Sequence, residues 1–317
     1  MAGWFVLAVY LATAGSAGTA RADKVRLAYL PIADHLPYFV AKDRGFFKQE
    51  GLEVTAQVMS GGAVQIPAME GGSLDVGHSN VVSVILAHDK GFDVQFFAPG
   101  HPLELEPGHV GAAWLARADD TKVSSIKDLA GKRVAINNMG NIMELGLRAL
   151  LAKAGVPLNA LQIVEIPFPQ MNPALLENRV DVIGQVEPFV TLLGMDKKGK
   201  ALARGIMGGT IGPSWQISGW FSKKSWIDKN TATAAAFIRA MTGALKYIQS
   251  HPEEVPALIA ANTRMKEDLV RRTVLSFHPT ALRLTDLQPV IDAAARLGMI
   301  TKSFPAKNII AGIAPLE

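Results

Sequence analysis

Three observations predict an α/β fold with a largely parallel sheet. Short apolar runs alternate with helix-periodic segments from residue 25 to about residue 222. Gly, Pro and Asn punctuate the joints between them. From residue 231 onward the pattern is almost wholly helical. Parallel neighbours need crossover connections, and a helix between consecutive strands supplies one. With 317 residues, 49% of them hydrophobic, the chain can bury one large core or two medium ones.

Residues 1–22 are apolar, rich in small side chains, and end in Ala20-Arg21-Ala22, an A-x-A site. This pattern reads as a signal peptide cleaved after Ala22, with a retained membrane anchor as the alternative. The stretch 24–80 then organises the chain. Residues 25–30 are a buried strand stopped by Pro31, and Asp34 and His35 follow in its loop. Pro37 suits a first helical turn, where its missing N–H is harmless. Leu36, Phe39, Val40 and Phe47 form an apolar stripe, with Gly45 as a C′ residue. Residues 53–59 are a second strand, and Ser60-Gly61-Gly62 a permissive loop after it. A helix follows over 63–70, with Pro67 pushing its start toward Gln65. Residues 75–77 are a third strand, with His78-Ser79-Asn80 beyond its end. Asn80 or Ser79 caps a helix over Val81–Asp89, closed by Gly91.

Further strands are expected at 94–98, 110–116, 134–136, 162–166, Val182–Val186, 201–207 and 216–222. Helices are expected at 125–129, Ile142–Ala154, 173–178 and after Glu187-Pro188, then over Thr231–Ser250, 252–261, 266–276 and 287–297. No repeat is legible in the sequence.

In an open parallel sheet, ligands sit beyond the carboxyl ends of the strands. That rule selects Asp34, His35, Ser60, Gly61, Gly62, His78, Ser79 and Asn80 from the first half. It selects Asn137, Asn138, Met139 and Gly140 from the loop before the helix at Ile142. Ser60-Gly61-Gly62 is either an ordinary turn or a helix N-terminus that receives an anion or carbonyl oxygen. Asp34 and His35 admit three readings: turn and ligand contacts, a metal site, or part of a hydrolytic set with Ser60. No HxH or HExxH spacing supports a metal, and no G-x-S-x-G elbow supports the hydrolase. Glu187 follows an apolar strand and precedes Pro188. It reads as a helix-dipole partner or as an acceptor for a ligand N–H. Trp215 either stacks on a flat ligand or fills the core.

The run G-F-F-K-Q-E-G-L-E-V, the following S-G-G and the later G-G-S-L-D-V-G resemble the nitrate/sulfonate/taurine-type periplasmic substrate-binding proteins of ABC importers. That family also contains thiamine-pyrimidine-precursor binders. The resemblance covers residues 24–221, and Glu187-Pro188-Phe189 is similar to a recurring element of the family. It implies a two-lobed type II periplasmic-binding-protein fold, with two crossing strands as hinge. The crossings would fall at 110–116 and 216–222. Lobe one would comprise residues 23–107 and 225–317, and lobe two residues 108–224. The implied function is capture of a small organic solute in the interlobe cleft, without catalysis or cofactor. The implied partners are a membrane permease and its ATPase subunit, with the binding protein a periplasmic monomer. The alternative is an enzyme of the same fold acting on a thiamine-pyrimidine-like precursor. Such relatives use a Cys-rich iron-linked motif, and this chain contains no cysteine.

The absence of cysteine also excludes disulfides, thiol nucleophiles and lipoprotein attachment through Cys. The formal charge of +4 falls by one on cleavage after Ala22, and no basic run with interleaved aromatics appears, so nucleic acid is not an expected partner. The candidate loops carry Asp34 and Glu187 but neither Arg nor Lys. A sulfonate or nitrate would call for cations or several free N–H groups, so the balance tilts to a neutral or nitrogen-bearing molecule.

Overall fold

A computed structural model describes residues 22–104, 111–207, 209–211, 214–263, 265–273 and 279–317. The expected signal segment lies outside the described residues up to Arg21, and so does the expected lobe boundary at 107/108.

The chain builds two five-stranded sheets, one after the other. The first begins with β1 (Asp23–Tyr29), α1 (Leu36–Asp43), α2 (Phe46–Gln49), β2 (Leu52–Val58), α3 (Gly62–Glu70), β3 (Val76–Asn80), α4 (Val81–Asp89) and β4 (Val94–Pro99). After β5 (Pro102–Glu104), the second is formed by β6 (Ala112–Arg117), β7 (Arg133–Ile136), α5 (Ile142–Ala154), β8 (Gln162–Glu165), α6 (Phe168–Leu176), β9 (Val182–Val186), α7 (Phe189–Met195) and β10 (Gly199–Arg204). The chain then returns through β11 (Ser214–Gln216) to β12 (Ser218–Lys223), which joins the first sheet. Helices α8 (Lys224–Lys229), α9 (Thr231–Ser250), α10 (Val255–Thr263), α11 (Glu267–Val270) and α12 (Leu284–Arg296) complete the described chain.

Several local expectations need correction. Helix α3 starts at Gly62 rather than near Gln65, and Pro67 sits inside it. Gly62 fits that start because a Cβ there would lie 2.3 Å from the Ser83 Cβ. Helix α6 begins at Phe168, ahead of the expected 173–178, and contains Pro173. Gly45, at φ +74°, ends α1 as C′ and also opens α2, so Phe47 belongs to a second short helix. The expected crossing strands 110–116 and 216–222 prove to be mostly interior sheet strands: β6 lies between β10 and β9, and β12 between β3 and β4. The passages between the sheets are instead β5 and β11, which pair with each other antiparallel, Trp215 opposite Leu103.

The two sheets share one plan. The first has the order β2-β1-β3-β12-β4 and the second, read from β8, β8-β7-β9-β6-β10. In each, three parallel strands are followed by one that runs antiparallel to both its neighbours. The correspondence extends to an ion pair. Asp75 immediately precedes β3, and its Oδ2 accepts from the Arg26 backbone N–H at 2.8 Å and from Arg26 Nε at 2.9 Å. Asp181 immediately precedes β9 and accepts from the Arg133 N–H at 2.8 Å and Nε at 3.2 Å. In both pairs the aspartate N–H donates back to the arginine carbonyl at 2.9 Å. Each pair therefore clamps the entry of the third strand against the first.

The apolar runs are buried as their lengths imply. Strands β6 and β9 carry side chains that are nearly all inaccessible, as expected of interior strands covered on both faces. Trp114 on β6 is wholly buried, and its indole donates to the Ile206 carbonyl at 2.9 Å. In the first sheet, Leu27, Phe39, Phe97, Trp220 and Phe237 pack β1, α1, β4, β12 and α9 into one core. Among the described residues, no helix is long and apolar enough to cross a membrane.

Candidate functional site

The carboxyl ends of the central strands of both sheets face a common cleft. From the first sheet come the segment after β1, the Ser60-Gly61 turn after β2 and the end of β3. From the second come the loop after β7 and the Val186-Glu187-Pro188 corner after β9. Two adjoining cavities lie between them, sharing Ile32, Asp34, Val186, Ile206 and Ile217. One continues past Ala33, His101, Ala112 and Glu187. The other continues past Leu30, His35, Gly61, His78, Ser79, Asn80, Asn137, Met143 and Phe168. The walls are mainly apolar, with a few polar groups converging on them, which is the usual make-up of a small-molecule site.

The polar groups are fixed by their elements. Asp34 stands on the short turn that leads into α1, and its Oδ2 accepts from Ser218 Oγ at 2.9 Å. Ser218 Oγ in turn accepts from the His101 N–H at 3.0 Å, tying the site to the passage between sheets. His35 and His78 are both buried, with ring centroids 4.2 Å apart. His35 Nε2 accepts from the Leu30 N–H at 3.4 Å, and the His78 ring lies 4.6 Å from Trp220. Glu187 is buried on the opposite wall, after a cis Glu187-Pro188 bond. Its Oε2 accepts from the Thr191 N–H at 3.0 Å and its Oε1 from Thr191 Oγ1 at 2.8 Å. The carboxylate thus both lines the cavity and caps α7.

The helix N-termini at the cleft are occupied by side chains of the protein itself. Asn80 caps α4, its Oδ1 taking the Ser83 N–H at 3.1 Å, and the same oxygen takes the Ile142 N–H of α5 at 3.1 Å. Asn141 Oδ1 accepts from the N–H groups of Met143 and Glu144 at 2.9 and 3.1 Å. The Gly62 N–H at the start of α3 donates to Ser79 Oγ at 2.8 Å, and the Gly140 N–H to Glu144 Oε2 at 2.7 Å.

The candidate loops are therefore brought together, but not all of their residues reach the cavities. Asp34, His35, Gly61, His78, Ser79, Asn80, Asn137 and Glu187 line them. Ser60 meets the facing lobe instead: its carbonyl accepts from Asn137 Nδ2 at 3.2 Å and its hydroxyl from Asn138 Nδ2 at 3.4 Å. The Ser60 hydroxyl is thus engaged by Asn138, and Asp34 Oδ2 by Ser218. Gly62, Met139 and Gly140 border an outer groove, and Met139 is exposed. Trp215 is buried in the core on β11, on neither cavity wall. Among the described residues, no group of three or more His, Asp or Glu is arranged to hold a metal ion.

Sequence reasoning missed Ser218 and most of the apolar wall, and named His101 only as a further candidate for a metal site. Ile206 and Ile217 flank a Gly-rich connection whose strand boundaries are blurred in sequence. Phe168 looked like loop because its helix starts with a proline at the second position. The lone signal for Ser218 was its place at the start of the returning strand.

The model of the family described as NMT1/THI5 like matches residues 32–255. A protein of Brucella abortus (strain 2308), named provisionally as a binding protein, is 25% identical over 187 residues, 58% of this chain and 55% of that relative. The 4-amino-5-hydroxymethyl-2-methylpyrimidine phosphate synthase of Schizosaccharomyces pombe is 24% identical over 147 residues, 46% of this chain and 40% of its own. The chain thus spans about half the length or less of these curated relatives. The alkanesulfonate-binding protein SsuA of Xanthomonas axonopodis pv. citri, bound to MOPS, superposes with a TM-score of 0.74 at 17% identity, covering 90% of this chain and 97% of that one. The periplasmic nitrate-binding protein NrtA of Synechocystis PCC 6803 gives 0.74 at 14% identity, covering 92% and 86%. The fold is that of the periplasmic binding proteins, and with the family's pattern running through most of its length, the chain belongs to the NMT1/THI5 like family.

Proposed function

We propose that this protein is the exported solute-binding component of an ABC importer. It captures a small nitrogen-bearing organic molecule, neutral or cationic, in the cleft between its sheets, and performs no chemistry on it. One observation carries the ligand class. The cavity walls offer two carboxylates, Asp34 from the first sheet and Glu187 from the second, yet no Arg or Lys among their described lining residues. An anion in this cavity would meet two carboxylates with no Arg or Lys to offset them, whereas an N–H or ammonium group would gain charge-assisted hydrogen bonds. The backbone amides that could have replaced a cation are filled by Asn80, Asn141 and Ser79. A flat or aliphatic body would be received by Ile32, Phe168, Val186, Ile206 and Ile217. The fold and the solute-binding proteins it superposes on support the transport role. The A-x-A site after an apolar leader supports export.

Native mass spectrometry of the protein purified from periplasm tests this reading. The expected result is a chain beginning at Asp23 carrying a small, basic or neutral nitrogen compound that is released unchanged. A sulfonate or inorganic anion as the bound species would overturn the ligand class. A bound compound converted to a new mass on incubation would favour the synthase-like alternative.

A further inference from the structure

We infer that the solute is two-headed: a short aliphatic diamine, with one ammonium for Asp34 and the other for Glu187. The inference rests on the nitrogen-bearing class proposed above and narrows it to one chemistry. Both carboxylates line the same cavity, Asp34 from the first sheet and Glu187 from the second. Ser218 Oγ donates to Asp34 at 2.9 Å, and the Thr191 N–H and hydroxyl donate to Glu187 at 3.0 and 2.8 Å. These donors are neutral, so they set the place of each carboxylate without cancelling its charge. Two like charges on one cavity repel each other, and burial of Glu187 adds the cost of lost hydration. A single ammonium offsets one of the two charges. A second ammonium on the same solute offsets the other.

The spacer follows from the walls. The cavity that holds both carboxylates is walled chiefly by Ile32, Ala112, Val186, Ile206 and Ile217, and no Phe, Tyr or Trp is among its described lining residues. Phe168 stands on the adjoining cavity. A flat ring gains most where an aromatic face can stack on it. A methylene chain gains by burial against aliphatic side chains alone. The chain is short because the two walls nearly meet: the Ala33 N–H, next to Asp34, approaches the Glu187 carbonyl at 3.5 Å.

Calorimetric titration tests this with putrescine and cadaverine as probes, against butylamine and pentylamine as monoamines of the same lengths. The protein is first refolded from denaturant to strip any compound carried through purification. The buffer is held at about pH 8, where an ordinary imidazole is neutral and an alkylammonium is charged. The better diamine is expected to bind about tenfold to a hundredfold more tightly than its monoamine, the worth of one further charge-assisted hydrogen bond. Asp34→Asn and Glu187→Gln, each confirmed as folded by a thermal melt, should each abolish that advantage, whereas monoamine binding should respond to one of them at most. Equal affinities for diamine and monoamine would overturn the inference and leave the nitrogen-bearing class standing. So would a diamine advantage that survives either substitution, which would place the second ammonium elsewhere. No binding by any of the amines would overturn it too, and binding of ethanesulfonate in their place would overturn the ligand class as well.

Discussion

Glu187→Gln separates the cap that this carboxylate forms on α7 from the ligand contact proposed for it. In the folded protein Glu187 takes the Thr191 N–H and hydroxyl at 3.0 and 2.8 Å, closing the first turn of α7. Glutamine keeps the shape. Its carbonyl oxygen can still accept from the N–H, and its amide can donate to the threonine oxygen once the hydroxyl turns. The cap is weakened rather than lost, at a cost of about 0.5–1 kcal/mol. The ligand contact is different, because the charge itself disappears. A hydrogen bond to an ionised partner contributes roughly 1.5–3 kcal/mol, so affinity for a cationic or N–H ligand falls about tenfold to a hundredfold. Thr191→Val is the companion variant. It removes only the hydroxyl, weakens the cap by about 1 kcal/mol and leaves the carboxylate charged, so affinity is retained. Calorimetric titration of all three proteins with the compound recovered by mass spectrometry, alongside thermal melts, gives both quantities. Equal affinities for wild type and Glu187→Gln, with a lowered melting temperature, would show that the carboxylate only caps α7.

The remaining expectations concern the frame. Asp75 is more buried than Asp181 in the matched ion pairs, so Asp75→Ala should destabilise more than Asp181→Ala, as read from urea midpoints. A Cβ at Gly184 would lie 2.6 Å from Met143 Cε and 2.8 Å from the Trp114 ring, so Gly184→Ala should cost about 1–3 kcal/mol by overpacking, read from the same curves. The Ser124 N–H and hydroxyl, with those of Ser125, hold the Asp128 carboxyl down to about 2, and hydrogen bonding to Arg133 lowers Asp181. A folded-state value below the unfolded one means stability that is present above about pH 4 and lost as pH falls toward 2. Asp128→Asn should accordingly flatten the acid limb of a stability–pH profile while leaving its shape above pH 6 unchanged.

Much of this fold was legible because its signals are local. Apolar runs such as Val182–Val186 announced interior strands, and Asn80 and Gly91 marked helix ends through capping chemistry that depends on neighbours in sequence. The shared plan of the two sheets was invisible because it rests on pairing across about fifty residues. The Arg26–Asp75 and Arg133–Asp181 pairs leave only a faint trace, an aspartate before each third strand. The proline-containing helices misled because a proline inside a helix costs stability that tertiary packing here repays, as at Pro67 and Pro173. At the site, loop positions were recovered by the strand-end rule, which says where a residue stands and nothing of where its side chain points. Hence Asp34 and Glu187 reach the cavity while Met139 faces the outer groove and Trp215 the core.

The proposed preference against anions has a physical origin in the asparagines. An anion of the kind carried by the sulfonate- and nitrate-binding proteins on which this fold superposes would be stabilised at helix N-termini by unpaired N–H groups. Here the Ile142 and Ser83 N–H groups already bond Asn80, and those of Met143 and Glu144 bond Asn141. For an anion to take the Ile142 N–H it must displace the Asn80 oxygen that joins the two sheets, so an anion and Asn80 compete for one donor. A cation or N–H donor bound to Asp34 and Glu187 need not break the Asn80–Ile142 bond, since both carboxylates stand apart from it. Placing asparagine, instead of a bare amide, at the mouth of the cleft therefore favours the nitrogen-bearing ligand class proposed above.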